Sequence, residues 1–164
     1  MKNQSTDKHD MTKKIAQAAI IAAAYAALTI AIMPLSYGVM QFRVSEALTI
    51  LPMFSAAAIP GLFVGCLVAN LLSPVGLIDV VIGSLATLIA AVCTYKLRDH
   101  KLLTPLPPVI ANAFMVGGEL YYVYGVKFSL IACILWVGLG EALACYGLGY
   151  PLSRVLNKHR GIFK

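Results

Sequence analysis

Residues 45–73 read SEALTILPMFSAAAIPGLFVGCLVANLLS, and the number of membrane crossings turns on them. The stretch is apolar throughout except for a break at Ile59-Pro60-Gly61. It is either one long kinked helix or two short helices joined by a Pro-Gly turn. Each half is short for a full span of the bilayer. The charges on either side discriminate between the two readings.

A membrane setting follows from composition. Of the 164 residues, 60% are hydrophobic and 12% charged, with a mean hydropathy of +0.82. A soluble domain of this length has no core large enough to hide that much apolar surface. The apolar residues fall in several blocks, which excludes a soluble domain on one anchor. The chain starts polar and carries no A-x-A-like cleavage signal ahead of a soluble part. The first helix is expected over residues 14–33, ended by Pro34. Others are expected at 76–95, at 108–124 and at 128–152, with a polar loop KLRDHKLLT at 96–104. Residues 1–13 are expected to be a flexible cytoplasmic N-terminus, 14–155 the membrane domain, and 156–164 a basic cytoplasmic tail.

With residues 45–73 taken as two helices, the total is six. Both termini and the loop 96–104 then share one side. That side carries Lys2, Lys8, Lys13, Lys14, Lys96, Arg98, Lys101, Arg154, Lys158, Arg160 and Lys164, against only Arg43 and Lys127 opposite. This asymmetry is the positive-inside pattern, with both ends cytoplasmic. Five helices would place the two basic ends on opposite sides. The net charge of +6 is thereby a topology signal, and no nucleic-acid partner is expected. Tyr37, Tyr121, Tyr122 and Tyr124 read as outer interfacial anchors, Tyr95 and Tyr150 as inner ones.

The chemistry lies in polar residues that the apolar helices should not contain. Glu46, Asp79, Glu119 and Glu141 fall within or at the ends of such helices, and a charged side chain at the bilayer centre costs about 2.5–3.5 kcal/mol. Under the six-helix topology, Glu46 and Asp79 begin helices at the outer face. Glu119 lies near the outer end of its helix, and Glu141 lies near the midplane. The four thus line a funnel open to the outside. Asn70, Asn112 and Trp136 share these helices. Residues 37–52, YGVMQFRVSEALTILP, place Gln41, Phe42, Arg43 and Glu46 at the mouth. An Arg43–Glu46 pair would hold this segment shut as a lid. A pocket with this excess of acceptors suits a donor-rich or cationic ligand and disfavours a phosphate. Three of the acids also have a ready structural reading: a local ion pair for Glu46, a helix-dipole contact for Asp79, and a structural hydrogen bond for Glu119, which follows Gly117-Gly118. Glu141 has no cation nearby in sequence, so a structural role is harder to supply.

No P-loop, H-E-x-x-H or G-x-S-x-G occurs, so ATP binding through a P-loop and the common hydrolase chemistries lack their groups. The chain is not expected to be an enzyme, nor to hold a metal or a cofactor. Cys66, Cys93, Cys133 and Cys145 read as small apolar residues in helices. On the first helix, small residues recur four apart at Ala18/Ala22 and Ala19/Ala23, which lets another helix approach closely. Packing inside the bundle and docking of another subunit both fit. Gly61-x-x-x-Gly65 is a shorter signal of the same kind.

The segments YGVMQFRVSEALTILP, NLLSPVGLIDVVIGSLATLIAA (70–91), NAFMVGGELYYVYG (112–125) and VGLGEALACYGLG (137–149) together resemble the QueT family of queuosine-precursor transporters. The resemblance runs in order through nearly all of the chain after Ile15. It implies an all-α integral membrane protein with six transmembrane helices in a bacterial cell membrane. It implies the substrate-binding (S) component of an energy-coupling-factor (ECF) transporter, served by a transmembrane coupling subunit and two cytosolic ATPases. The implied substrate is a 7-deazaguanine, chiefly pre-queuosine with its aminomethyl group. On that reading Glu141, Glu119 and Asp79 accept from the base edge and the amine. Asn112, Asn70 and Gln41 orient the base, and Trp136 or Phe42 stacks on it. Ala18, Ala19, Ala22 and Ala23 meet the coupling subunit. Two rivals stay open: a solitary small permease for a vitamin-like or nucleobase-like solute, and an intramembrane enzyme built on Glu46, Glu119 and Glu141.

Overall fold

A computed structural model describes residues 4–37, 41–72 and 76–159, and every regular element among them is helical. Residues 1–3, the lid residues 38–40, the Ser73-Pro74 break and the tail beyond His159 lie outside the described residues. The chain forms α1 (Gln4–Ala31) and a short α2 (Met33–Ser36), then a 3-10 helix (Val44–Met53). It continues with α3 (Ala58–Leu71), α4 (Leu77–Lys96) and α5 (Leu106–Tyr122). The last rod is continuous: α6 (Leu130–Ala142), a π-helical segment (Leu143–Gly149) and α7 (Tyr150–Lys158). Three helical stretches are long and apolar enough to cross a membrane, namely Asp10–Ala31, Leu77–Lys96 and Leu130–Lys158.

Pro34 lies inside α2 rather than ending the first helix. The last rod runs to Lys158, past its expected end at 152 and into the expected basic tail. Three further boundaries differ from expectation. First, α1 starts at Gln4 rather than at residue 14, so most of the expected flexible N-terminus is helical. Second, the apolar stretch 45–73 does divide in two, but at residues 54–57 and not at Ile59-Pro60-Gly61. Pro60 sits in the first turn of α3, where its missing N–H has no intrahelical partner to lose. Third, the half before the break is a 3-10 helix of ten residues with Pro52 inside it. Runs of 3-10 helix this long are uncommon. The tighter winding rises about 2.0 Å per residue against 1.5 Å for an α-helix, so ten residues reach further through the bundle.

Packing follows the small residues. α1 lies on α3 through Gly61 and Gly65, and a Cβ on either would stand 2.7 Å from the carbonyl oxygen of Ala18 or Ala22, respectively. This is close backbone approach of the small-xxx-small kind. Ile21, Tyr25, Leu62, Cys66 and Ala69 close the seam from inside. α5 meets α6 in the same way: a Cβ on Gly117 would lie 2.9 Å from Ile134 Cα, while neighbouring Gly118 faces open space. The 3-10 helix is wedged among α1, α4 and the π-helical segment. Gly149 admits it, since a Cβ there would lie 3.1 Å from the Ala47 carbonyl oxygen.

The seam can be tested directly. Gly65→Val forces a branched side chain into the α1 backbone and is expected to destabilise the detergent-solubilised protein by about 1–3 kcal/mol, the usual cost of overpacking. Gly118→Ala, with nothing within 4 Å, is expected to be close to neutral. Comparing the two by thermal unfolding checks that the loss comes from the α1–α3 contact.

Candidate functional site

Arg43 is the centre of the polar interior. It caps the start of the 3-10 helix with an extended backbone, so its side chain is not committed to a helix face. The guanidinium is buried, with 1% exposure. Nη2 donates to Asn70 Oδ1 at 3.3 Å and stands 3.6 Å from Asp79 Oδ2, while Nε donates to the Ser36 carbonyl at 3.4 Å. The charged carbon lies 5.1 Å from the centroid of the Tyr37 ring, a cation–π contact. Tyr37 in turn donates its hydroxyl to the Ala69 carbonyl at 2.9 Å.

Asn70 and Asp79 are brought to Arg43 by α3 and α4. Asn70 Nδ2 donates to the Asp79 carbonyl oxygen at 3.0 Å, tying the end of one helix to the start of the next. Asp79 stands in the first turn of α4, where the helix dipole favours an anion. Gly83 leaves the room: a Cβ there would lie 2.6 Å from Asn70 Nδ2 and 3.3 Å from Asp79 Oδ1.

The expected Arg43–Glu46 pair does not form. Pairing at i, i+3 needs both residues on one helix, and Arg43 precedes the helix that carries Glu46. Glu46 instead accepts from the hydroxyl of Tyr25 on α1. A second tie joins the same elements, from Thr29 Oγ1 to Ser45 Oγ at 2.6 Å. Both Tyr25 and Glu46 are wholly buried.

Cys145 joins the backbone of Glu46 to the side chain of Glu141. The Cys145 thiol lies 3.6 Å from the Glu46 carbonyl oxygen and 3.9 Å from Glu141 Oε2, with Thr49 Oγ1 at 3.8 Å. Glu141 closes α6 and Cys145 sits in the π-helical segment that follows, so the irregular winding falls at the site itself. Asn112 on α5 faces Glu141, and Tyr124, just beyond α5, faces Glu119. Neither contact closes as a hydrogen bond of normal geometry.

All eight polar residues expected at the site are buried: Gln41, Arg43, Glu46, Asn70, Asp79, Asn112, Glu119 and Glu141. Arg43 lies within electrostatic reach of all four carboxylates. Yet many of their atoms are unpaired. Glu46 Oε2, both oxygens of Glu119, Glu141 Oε1 and both polar atoms of the Asn112 amide have no hydrogen-bond partner among the described residues. The Asp79 oxygens have the Arg43 ion pair but no hydrogen bond. Buried polar groups are ordinarily satisfied, and each exception calls for a cause. Gln41 adds another irregularity, with φ of 47°, a left-handed conformation that costs a non-glycine residue about 1–3 kcal/mol.

The aromatic expectations fare differently. Trp136 is 42% exposed and is no stacking platform for this cluster. α6 turns Cys133, Val137, Gly140 and Glu141 inward, and Trp136 falls off that face. Phe42 is half-buried between Gln41 and Arg43. The residues not foreseen are Tyr25, Tyr37, Tyr124 and Cys145. Three are tyrosines, two of them read as interfacial anchors. Their signal was a hydroxyl placed near the same helix ends as the acids.

Ala18 and Ala22 form the α1 side of the seam with α3, whereas Ala19 and Ala23 are exposed. Beside the seam runs an apolar groove of about 530 Å³, lined among others by Ile15, Ala18, Ala19, Ala22, Pro60 and Val64.

Comparison with known proteins places this geometry. The chain is 39% identical over 84 residues to the queuosine precursor transporter QueT of Lactococcus lactis subsp. cremoris (strain MG1363). That match covers 50% of this chain and 49% of the relative, so it spans about half the length of the curated protein. No solved structure matches. Residues 15–158, which hold every polar residue of the buried cluster, match the family described as QueT transporter, and the chain belongs to that family.

Proposed function

We propose that this protein is the substrate-binding component of an ECF-type transporter and imports a queuosine precursor, a 7-deazaguanine with an aminomethyl group, across a bacterial cell membrane. The observation that carries the reading is the buried cluster of four carboxylates around one cation, with most of its acceptor atoms unpaired. A ligand that brings N–H donors and a positive charge satisfies what the protein leaves open. Membership of the QueT transporter family calls for a substrate site somewhere in the chain.

On this reading the residues take different roles. Arg43 compensates Asp79 and holds Asn70, so these three form one wall rather than the recognition groups. Glu141 and Asn112 lie together with unpaired atoms on both. They would read a guanine-like edge, the carboxylate accepting N–H bonds and the amide donating to the ring carbonyl. Glu119, with both oxygens free, would receive the aminomethyl cation beside Tyr124. Glu46 is held by Tyr25 and would supply its second oxygen. Phe42 remains the candidate to stack on the base. Gln41 and the lid segment would close over it.

In the membrane, we place the rods of α1, the 3-10 helix, α3, α4, α5 and α6–α7 as six crossings with both termini cytoplasmic. The distribution of Lys and Arg supports this, and more strongly once Arg43 is set aside as a buried site residue. The groove beside Ala18, Ala19 and Ala22 would receive the transmembrane coupling subunit, which two cytosolic ATPases drive.

Three measurements test the proposal. Pre-queuosine is expected to raise the unfolding temperature of the solubilised protein, as ligand binding only to the folded state must. Queuine and guanine should do so less, and unrelated vitamins not at all. Glu141→Gln and Glu119→Gln should each weaken binding by about tenfold or more, a loss of ~1.4 kcal/mol. Unchanged affinity in both would sink the acid-pocket assignment. Ala19→Leu with Ala23→Leu should spare binding and abolish uptake. Uptake at the parental rate would return the exposed alanines to a purely lipid-facing role.

A further inference from the structure

A polar cavity lies at the other end of α4, where that helix gives way to α5. Its volume is about 260 Å³, and Met53, Lys101, Tyr150, Ser153, Arg154 and Asn157 line it. Three separate parts of the chain meet here: the last residue of the 3-10 helix, the loop after α4, and α7. Met53 and Ser153 are buried and form the floor, while Lys101, Arg154 and Asn157 are exposed at the rim.

The donors are oriented and unmatched. Arg154 lies 4.9 Å from the Tyr150 ring centroid and donates Nη2 to the Tyr150 hydroxyl at 3.2 Å, which fixes the guanidinium at the cavity edge. Ser153 spends its proton on the Tyr150 carbonyl, at 2.6 Å, so the nitrogen donors left at the rim are those of Lys101, Arg154 and Asn157. Among the described residues the one ion pair is Arg43–Asp79. Neither Lys101 nor Arg154 is therefore neutralised, although Asp99 lies two residues from Lys101 in the same loop. The surroundings are also apolar and open. Leu102, Leu103 and Val155 are 67%, 45% and 56% exposed, and the Tyr146 hydroxyl holds the Leu102 carbonyl at 3.2 Å.

We propose that this cavity seats the phosphate of an anionic phospholipid. The two cations and the Asn157 amide would take the phosphate oxygens, and the acyl chains would cover Leu102, Leu103 and Val155. Basic pockets between membrane helices hold anionic headgroups in this way. A free phosphate would use the same donors but leave the apolar rim bare. Because Met53 ends the 3-10 helix that carries Glu46, a lipid here would brace the far end of that helix. This assignment does not depend on what the buried acidic cluster binds.

Native mass spectrometry of the detergent-solubilised protein tests it, with phosphatidylglycerol, phosphatidylcholine and inorganic phosphate as separate probes. Phosphatidylglycerol is expected to be retained in preference to phosphatidylcholine. Lys101→Ala with Arg154→Ala should weaken that retention by about thirtyfold, the effect of two near-surface cations on an anionic lipid. Lys8→Ala with Lys13→Ala removes the same charge from exposed positions on α1 and should leave retention unchanged. Equal retention by the cavity variant and the α1 variant overturns the proposal. So does binding of inorganic phosphate without preference for the anionic lipid, which would make the site one for a soluble anion. An unfolding temperature within the parental range confirms that the cavity variant is folded.

Discussion

One buried guanidinium organises the interior of this protein. Arg43 sits between the 3-10 helix, α2, α3 and α4, and its bonds to Ser36, Asn70 and Asp79 reach three of them. A charge in so dry a place persists only when it is paired and hydrogen-bonded, and removing one partner of a buried pair costs about 3–5 kcal/mol. Its compensation is local and nearly complete, through a carboxylate, an amide, a carbonyl and an aromatic face. The three other carboxylates lie in its field without contact. Arg43 is therefore compensated on one side of the polar interior, while most carboxylate oxygens around it have no hydrogen-bond partner among the described residues.

Two of the acids stand at or near irregular helices. Glu46 is on a 3-10 helix and Glu141 lies two residues before a π-helical segment, and these two segments pack against each other through Ala47 and Gly149. Backbone that departs from the α-helix is tolerated at membrane depth where protein covers it or where it lines a cavity. The first condition holds here, because the 3-10 helix is packed among α1, α4 and the π-helical segment. The altered winding changes which residues share a face, and so it can turn Glu46, Thr49, Glu141 and Cys145 toward one space.

The first helix links this interior to the outside of the bundle. Its inner face gives Tyr25 to Glu46 and Thr29 to Ser45. One turn away, Ala18 and Ala22 bring its backbone against Gly61 and Gly65, and the apolar groove opens beside them. Small residues serve two ends in this helix. Those toward α3 permit close packing, and those at Ala19 and Ala23 leave a shallow, uncluttered surface. The tyrosine that fixes the acid and the alanines that shape the groove lie on the same rigid rod.

The residue sequence determined the class of protein and which polar residues would lie buried among the helices. Several long apolar blocks broken by Pro and Gly point to helices, three of them long and apolar enough to cross a membrane. Carboxylates and amides placed inside such blocks must gather, because each is costly alone in hydrocarbon. For that reason Glu46, Asn70, Asp79, Asn112, Glu119 and Glu141 could be named from local context. Their pairing could not. Arg43 chose Asp79 over the nearer Glu46, Glu46 took Tyr25, and Trp136 turned outward, because partners are set by which helix faces meet across the bundle and not by separation along the chain. The 3-10 and π windings were equally hidden, since Pro52 and the glycines near residue 149 allow them without requiring them. Only the packing of one against the other selected those backbones, and with them the space that the acids face.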